Sequence, residues 1–165
     1  MSTGIFYTTS TGNNDDIAEK IGSSLGDIEI FNLINTSLDK INEFDKVILG
    51  VSTWGDGELN DDFEDIWDDF KEIDFSNKTV ALFGLGDQEG YEDTFCDALG
   101  SLYEQVISSG AKVVGFTSTD TYDFQESKAV IDGKFVGLAL DEDNQDDLTD
   151  DRIKTWVESI KADIL

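Results

Sequence analysis

The chain has 165 residues and an apolar fraction of 39%, which fits one domain of ordinary size with a proper core. Its 37 acidic and 11 basic residues leave a net charge of −26, which opposes nucleic-acid or anionic-membrane binding, since both need basic patches against phosphate. With no histidine and one cysteine, Cys96, the chain has no His-based catalysis, no His or Cys-rich metal site and no internal disulfide, and a reducing compartment fits.

Strand and helix signals then alternate along the chain. Residues 4–8 form a short β-prone run that leads into a polar turn. A helical pattern follows, with Ile17, Ala18, Ile21 and Leu25 on one face. Residues 28–31 are a brief second strand, and 46–51 read as a buried third strand ending in a Gly-rich turn. The next helix places Phe63, Ile66, Trp67 and Phe70 together, with a solvated face of Asp61, Asp62, Glu64, Asp65, Asp68 and Asp69. Residues 79–83 are the fourth strand, and Phe95, Leu99, Leu102 and Val106 repeat at helical spacing. A fifth strand starts at 113–116, residues 117–134 intervene, and 135–139 supply another strand-like run. A last helix carries Ile153, Trp156, Val157, Ile160 and Ile164, with Thr149 as its expected cap.

Five strand–helix units predict a parallel sheet with helices on both faces, one α/β domain over residues 1–165. Residues 1–11 hold no basic residue, and no apolar run reaches the roughly 18 residues of a membrane span, so a cytoplasmic location is expected. Proline is absent, so turns rest on Gly, Asn and Asp.

In such a sheet, ligands sit beyond the carboxyl ends of the strands where strand order reverses, which singles out residues 8–14, 52–58 and 85–93. Thr9, Ser10, Thr11, Asn13 and Asn14 gather hydroxyls and amides around Gly12 at a helix N-terminus. That suits a phosphate held by neutral donors, or simply a polar helix cap. No Lys or Arg lies there, so it is not a Walker A loop. Trp54, beside Gly55, Asp56 and Gly57, stacks on a flat heterocycle or covers the sheet edge. Residues 84–91 nearly spell a dinucleotide fingerprint, but the third glycine falls at 90 and the run follows the fourth strand, so that reading is rejected. Tyr91 offers a second flat face. Residues 141–146 begin like a calcium loop but lack its glycine, and a solvated acidic turn is expected.

Taken together these segments resemble flavodoxins. Residues 4–13 are similar to the family's phosphate loop, 52–59 to its loop with the stacking Trp, and 86–100 to its third flavin loop and helix. Residues 135–145 resemble the segment after the insertion that splits the fifth strand in the long-chain subclass. Three positions depart from the pattern: Asn14 stands for the last Thr of the phosphate loop, Thr8 for a frequent Gly and Ser52 for a frequent Pro.

The resemblance implies a doubly wound, five-stranded sheet of order 2-1-3-4-5, for which flavodoxin is the standard example. It also implies a non-covalent FMN shuttling between semiquinone and hydroquinone, with no acid–base catalytic residue. The implied FMN contacts are Thr9 to Asn14, Ser52, Thr53, Trp54, Gly55, Asp56, Gly57, Gly86, Asp87, Tyr91 and Cys96. Implied partners are redox proteins with basic docking surfaces, of the ferredoxin–NADP reductase, photosystem I, pyruvate oxidoreductase or nitrogenase reductase type, met by a monomer. Two rivals share the fold class: an FMN-dependent NAD(P)H–quinone reductase, opposed by the −26 charge, and a receiver-type signalling domain, opposed by Thr8 and Thr9 where it needs acids.

Overall fold

The computed structural model describes residues 3–8, 13–26, 28–54 and 57–165, the Trp54 side chain excepted. The central strands are β1 (Thr3–Tyr7), β2 (Glu29–Asn32), β3 (Lys46–Trp54) and β5 (Thr79–Leu85), with the two-residue β4 (Glu58–Leu59) returning antiparallel on the end of β3. They pair in parallel in the order β2-β1-β3-β5, and the fifth position beside β5 is filled by two pieces. One is β6 (Lys112–Val114), opposite Thr79 to Ala81, and the other is β10 (Leu138–Leu140), opposite Phe83 to Leu85. This is the expected 2-1-3-4-5 order with a split last strand.

Strand alternation explains the layers. Ile5 and Tyr7 of β1, Ile48 of β3, and Ala81, Phe83 and Leu85 of β5 point to one face. There they meet α1 (Asn13–Leu25) and α4 (Thr149–Ile164), whose Ile17, Ile21, Ile153, Val157 and Ile160 are buried. Phe6, Val47, Leu49, Val51, Val80 and Leu82 point to the other face, covered by α2 (Asp61–Phe70) and α3 (Asp97–Ser108). Each fully buried side chain of this kind contributes roughly 1.5–3 kcal/mol. Because successive residues serve opposite faces, a one-residue slip of β3 would swap its side chains between the two cores and mispack both at once.

The fifth strand is interrupted between two glycines. At Gly115 the chain leaves the sheet with φ +86°, a left-handed conformation that side chains rarely adopt, and its carbonyl accepts the Trp156 indole N–H at 2.9 Å. At Gly137 it returns so close to β5 that a Cβ would lie 2.2 Å from the Leu82 carbonyl oxygen. Between them stand β7 (Thr117–Ser118), β8 (Val130–Ile131) and β9 (Lys134–Phe135), a small antiparallel sheet of order β7-β9-β8. Phe135 anchors it, its ring 4.7 Å from Tyr122 and 5.9 Å from Phe95.

Three expectations need correction. The run 135–139 is not one strand: Phe135 belongs to the insertion and Leu138 onward to the main sheet. The β2–β3 connection holds only a 3-10 turn over Leu38–Glu43, seated by buried Ile41 and Phe44, so there are four strand–helix units with α-helices, not five. Thr149 does not cap α4. It is the first helical residue, Leu148 holds the cap position, and the Thr149 hydroxyl donates to the Glu142 carboxylate. No helix among the described residues is long and apolar enough to cross a membrane.

Candidate functional site

The carboxyl ends of β1, β3 and β5 lie side by side, and strand order reverses between β1 and β3. Thr9, Ser10, Thr11, Gly12, Gly55 and Asp56, all expected at this edge, lie outside the described residues. Their flanking residues are well defined. Asn13, exposed, opens α1, and Asp15 and Asp16 occupy its first turn. Asn14 is fully buried and donates from Nδ2 to the Thr8 carbonyl at 2.6 Å and to Ser52 Oγ at 3.2 Å. Asn60 Oδ1 accepts the Thr8 hydroxyl at 3.0 Å and the Ser52 N–H at 3.2 Å.

Downstream of Ser52 the second loop is a hairpin, with Thr53 opposite Leu59 and Trp54 opposite Glu58. Thr53 Oγ1 accepts the Ala98 N–H at 3.1 Å, which ties the loop to the first turn of α3. Gly57 has φ +96° and sits against Asp97, whose Oδ2 would be 2.7 Å from a Cβ there. Burial raises the Asp97 carboxyl above the usual range, and the Lys128 N–H, donating at 2.7 Å, works in the opposite direction.

The third loop is braced from beneath. The Gly86 N–H donates to the Leu140 carbonyl at 3.0 Å. Partial burial works against ionisation of Asp87, but the Gly90 N–H at 2.8 Å, the Asn144 amide at 2.8 Å and the Glu89 N–H at 3.1 Å hold its carboxyl below the ordinary value. Gln88 is buried and bonds Asp141 through both its backbone N–H and its side-chain amide. Tyr91 is 44% exposed at the rim. Cys96 is fully buried in the core, behind Gly86, where a Cβ would lie 2.8 Å from the Cys96 nitrogen. Burial pushes its thiol up, so it is inert as a thiolate.

Asp141 corrects the solvated-turn reading of residues 141–146. It is fully buried and accepts five hydrogen bonds, from the Asp143 and Asn144 N–H groups, the Asn144 side chain and Gln88 twice. Carboxylate oxygens of Asp87, Asp141 and Asp143 come within 4.8 Å of one another. Partial desolvation, then the Asp87 and Asp141 charges, raise the Asp143 carboxyl.

Sequence reasoning missed Asn60 and Asp141. Asn60 holds the N-cap position of α2, yet its side chain makes no cap bond. Asp141 lies in a run of acids, and nothing local distinguishes a buried one. Trp67 stacks on Phe70 at 5.7 Å within the α2 face, as its helical spacing predicts. No Lys or Arg lies in residues 8–14, 52–58 or 85–93.

The family model for flavodoxin matches residues 5–156. A flavodoxin from Synechocystis is 50% identical over 161 residues, covering 96% of this chain and 95% of that protein. A flavodoxin from Helicobacter pylori is 49% identical over 159 residues, covering 96% of each. The crystal structure of Fusobacterium nucleatum flavodoxin bound to flavin mononucleotide superposes with a TM-score of 0.93 at 39% identity, covering 99% of both chains. With its doubly wound sheet, its three loops at the switch point and this full-length similarity, the chain belongs to the flavodoxin family.

Proposed function

We propose that this chain is a low-potential electron carrier that binds FMN non-covalently at the carboxyl edge of β1, β3 and β5. One observation carries the reading: three loops of the expected chemistry meet at the switch point of a fold shared with an FMN-bound flavodoxin. When bound, FMN supplies one-electron redox chemistry, and the protein supplies binding, orientation and the local field.

The residues present fit such a ligand. Among the described residues, Asn14 Oδ1 and Asn60 Nδ2 are buried without partners at the loop roots, an acceptor that a ligand hydroxyl satisfies and a donor that a phosphate oxygen satisfies, and that an apolar ligand does not. Residues Thr9 to Asn13 hold the phosphate through hydroxyls and an amide, and Asn14, whose side chain is committed to Thr8 and Ser52, contributes its backbone at the N-terminus of α1. Trp54 and Tyr91 flank the ring and limit its access to water. Gly55, Asp56, Gly57, Gly86 and Asp87 present backbone groups to its edges, Ser52 and Thr53 shape the floor, and Cys96 backs Gly86.

Asp61, Asp62, Glu64, Glu89 and Glu92 form an acidic surround that steers basic docking surfaces of redox partners toward this edge. The insertion between β6 and β10 supports a long-chain subclass reading, in which the chain acts as a cytoplasmic monomer. The visible spectrum of the purified protein tests the reading, followed by reductive titration. One FMN per chain, reduced in separate one-electron steps, is expected. A colourless protein that takes up no added FMN refutes it.

A further inference from the structure

Thr8, Asn14 and Ser52, the three departures from the flavodoxin pattern, meet in one hydrogen-bonded knot whose fourth member is Asn60. The four residues are the roots of two loops. Thr8 and Asn14 bracket residues 9–13, and the Asn14 amide closes that loop on the Thr8 carbonyl at 2.6 Å. Ser52 and Asn60 bracket residues 53–59, and two bonds close that loop: Ser52 N–H to Asn60 Oδ1 at 3.2 Å and Asn60 N–H to the Ser52 carbonyl at 3.1 Å. Two more bonds join one root to the other, Thr8 hydroxyl to Asn60 Oδ1 at 3.0 Å and Asn14 Nδ2 to Ser52 Oγ at 3.2 Å.

The residue types matter. Proline at 52 would have no N–H for Asn60, and glycine at 8 would have no hydroxyl. The departures therefore supply both donors that Asn60 Oδ1 accepts. Backbone partners fix both amides. The Thr8 carbonyl only accepts, so Asn14 presents Nδ2; the Ser52 N–H only donates, so Asn60 presents Oδ1. Thr8, Asn14 and Asn60 are fully buried and Ser52 is 6% exposed. In such surroundings each bond is strong and a broken one is costly.

We propose that Thr8, Asn14, Ser52 and Asn60 are positioning residues that clasp the two loops together, so that a change at the root of the first loop is felt by ring binding at the second. The proposal rests on the FMN reading above. Locking both loops to one root lowers the ordering cost of binding.

The test uses riboflavin, which has no phosphate and therefore reports the ring alone, beside FMN. Thr8→Val removes the hydroxyl and keeps the shape. It should weaken both flavins about fivefold, the equivalent of one neutral hydrogen bond, although Thr8 belongs to the other loop. In an Asn60→Ala background the same change should have no effect. Thr117→Val, which deletes a comparable bond to the Gly137 carbonyl in the insertion, should leave both affinities unchanged. If Asn60→Ala does not fold, Ser52→Ala paired with Asn14→Ala makes the equivalent cycle. The clasp is overturned if Thr8→Val leaves riboflavin binding intact, or weakens it equally in both backgrounds. Wild-type protein that binds neither flavin removes the FMN reading instead. The same cycle read by urea unfolding then decides the clasp, with coupled losses expected and additive ones refuting it.

Discussion

Replacing Asp141 by asparagine tests whether the third loop is held by one buried carboxylate. Its Oδ2 receives the Gln88 N–H at 3.0 Å, Gln88 Nε2 at 2.9 Å and Asn144 Nδ2 at 2.8 Å, and its Oδ1 receives the Asp143 and Asn144 N–H groups at 3.1 and 3.0 Å. Asparagine has nearly the same shape, but one of its ends is an NH2 group. In the better orientation that NH2 faces two donors, and in the worse one three. Hydrogen bonds to a charged group contribute roughly 1.5–3 kcal/mol each, so losing two costs about 3–6 kcal/mol. Relief from burying the charge offsets part of this, which leaves an expected loss of about 3 kcal/mol, a large share of the roughly 5–15 kcal/mol typical of a domain. Urea unfolding of flavin-free protein measures it, with Asp146→Asn, on an exposed acid of the same turn, as the control. The variant should also bind FMN more weakly, because Gln88 would no longer fix the backbone beside Asp87. A loss under about 1 kcal/mol, or one matched by Asp146→Asn, would mean that the five bonds do not hold the loop.

Trp54→Ala should weaken FMN binding far more than Trp67→Ala, because Trp67 is committed to Phe63 and Phe70 in α2; equal effects in a fluorescence titration would end the stacking assignment. FMN affinity should rise as salt increases from low ionic strength, since screening weakens repulsion between a −26 chain and the phosphate, and a steep fall would contradict that. Asp87 titrates below its ordinary value in the folded chain. It therefore adds stability above the unfolded carboxylate range, near pH 4, which is lost as pH falls through its folded value. Asp87→Asn should flatten that part of the acid limb in unfolding curves taken between pH 3 and 7; superimposable curves would show that its three donors do not favour the charged form.

Much of this was legible in the sequence because period alone separates the layers. Val47, Leu49 and Val51 against Ile48, and Ile153, Trp156, Val157 and Ile160 along α4, read directly as two cores. The loops were legible too, since Gly12, Gly57 and Gly86 punctuate the ends of three strands. What stayed hidden depends on contacts between distant residues. Asn60 carries no signal of its role until Thr8, 52 positions away, is placed beside it. Asp141 is one acid among many until Gln88 approaches from 53 residues away. Nothing local at Gly115 and Gly137 separates a split strand from two strands, so the split fifth strand was legible only through the family resemblance. The acidic turn was misread for the same reason: charge predicts solvation only where no donors surround it.

The way this chain satisfies its inner carboxylates bears on the redox behaviour proposed for it. Asp97 and Asp141 are buried and Asp87 is half-buried, yet among the described residues their hydrogen-bond donors are backbone N–H groups and side-chain amides and none forms an ion pair; only the Lys128 charge, near Asp97, acts on one of them. The four ion pairs among the described residues all lie on exposed surface, where such pairs contribute little. Hydrogen bonds from neutral donors stabilise a carboxylate without cancelling its charge. The edge that holds the loops therefore keeps a negative field, and no basic residue within those loops offsets it. At about 10 Å, one such charge opposes an added negative charge by roughly 1–2 kcal/mol at an effective dielectric near 20, and several act together. A neutral-donor site thus lets an acidic chain fold around buried carboxylates, and under the proposed function it favours giving up an electron placed at this edge. Replacing the Asn144 partner of Asp87 with a lysine should therefore raise the potential of a flavin bound at this edge; an unchanged potential would separate the neutral-donor site from the low-potential transfer proposed above.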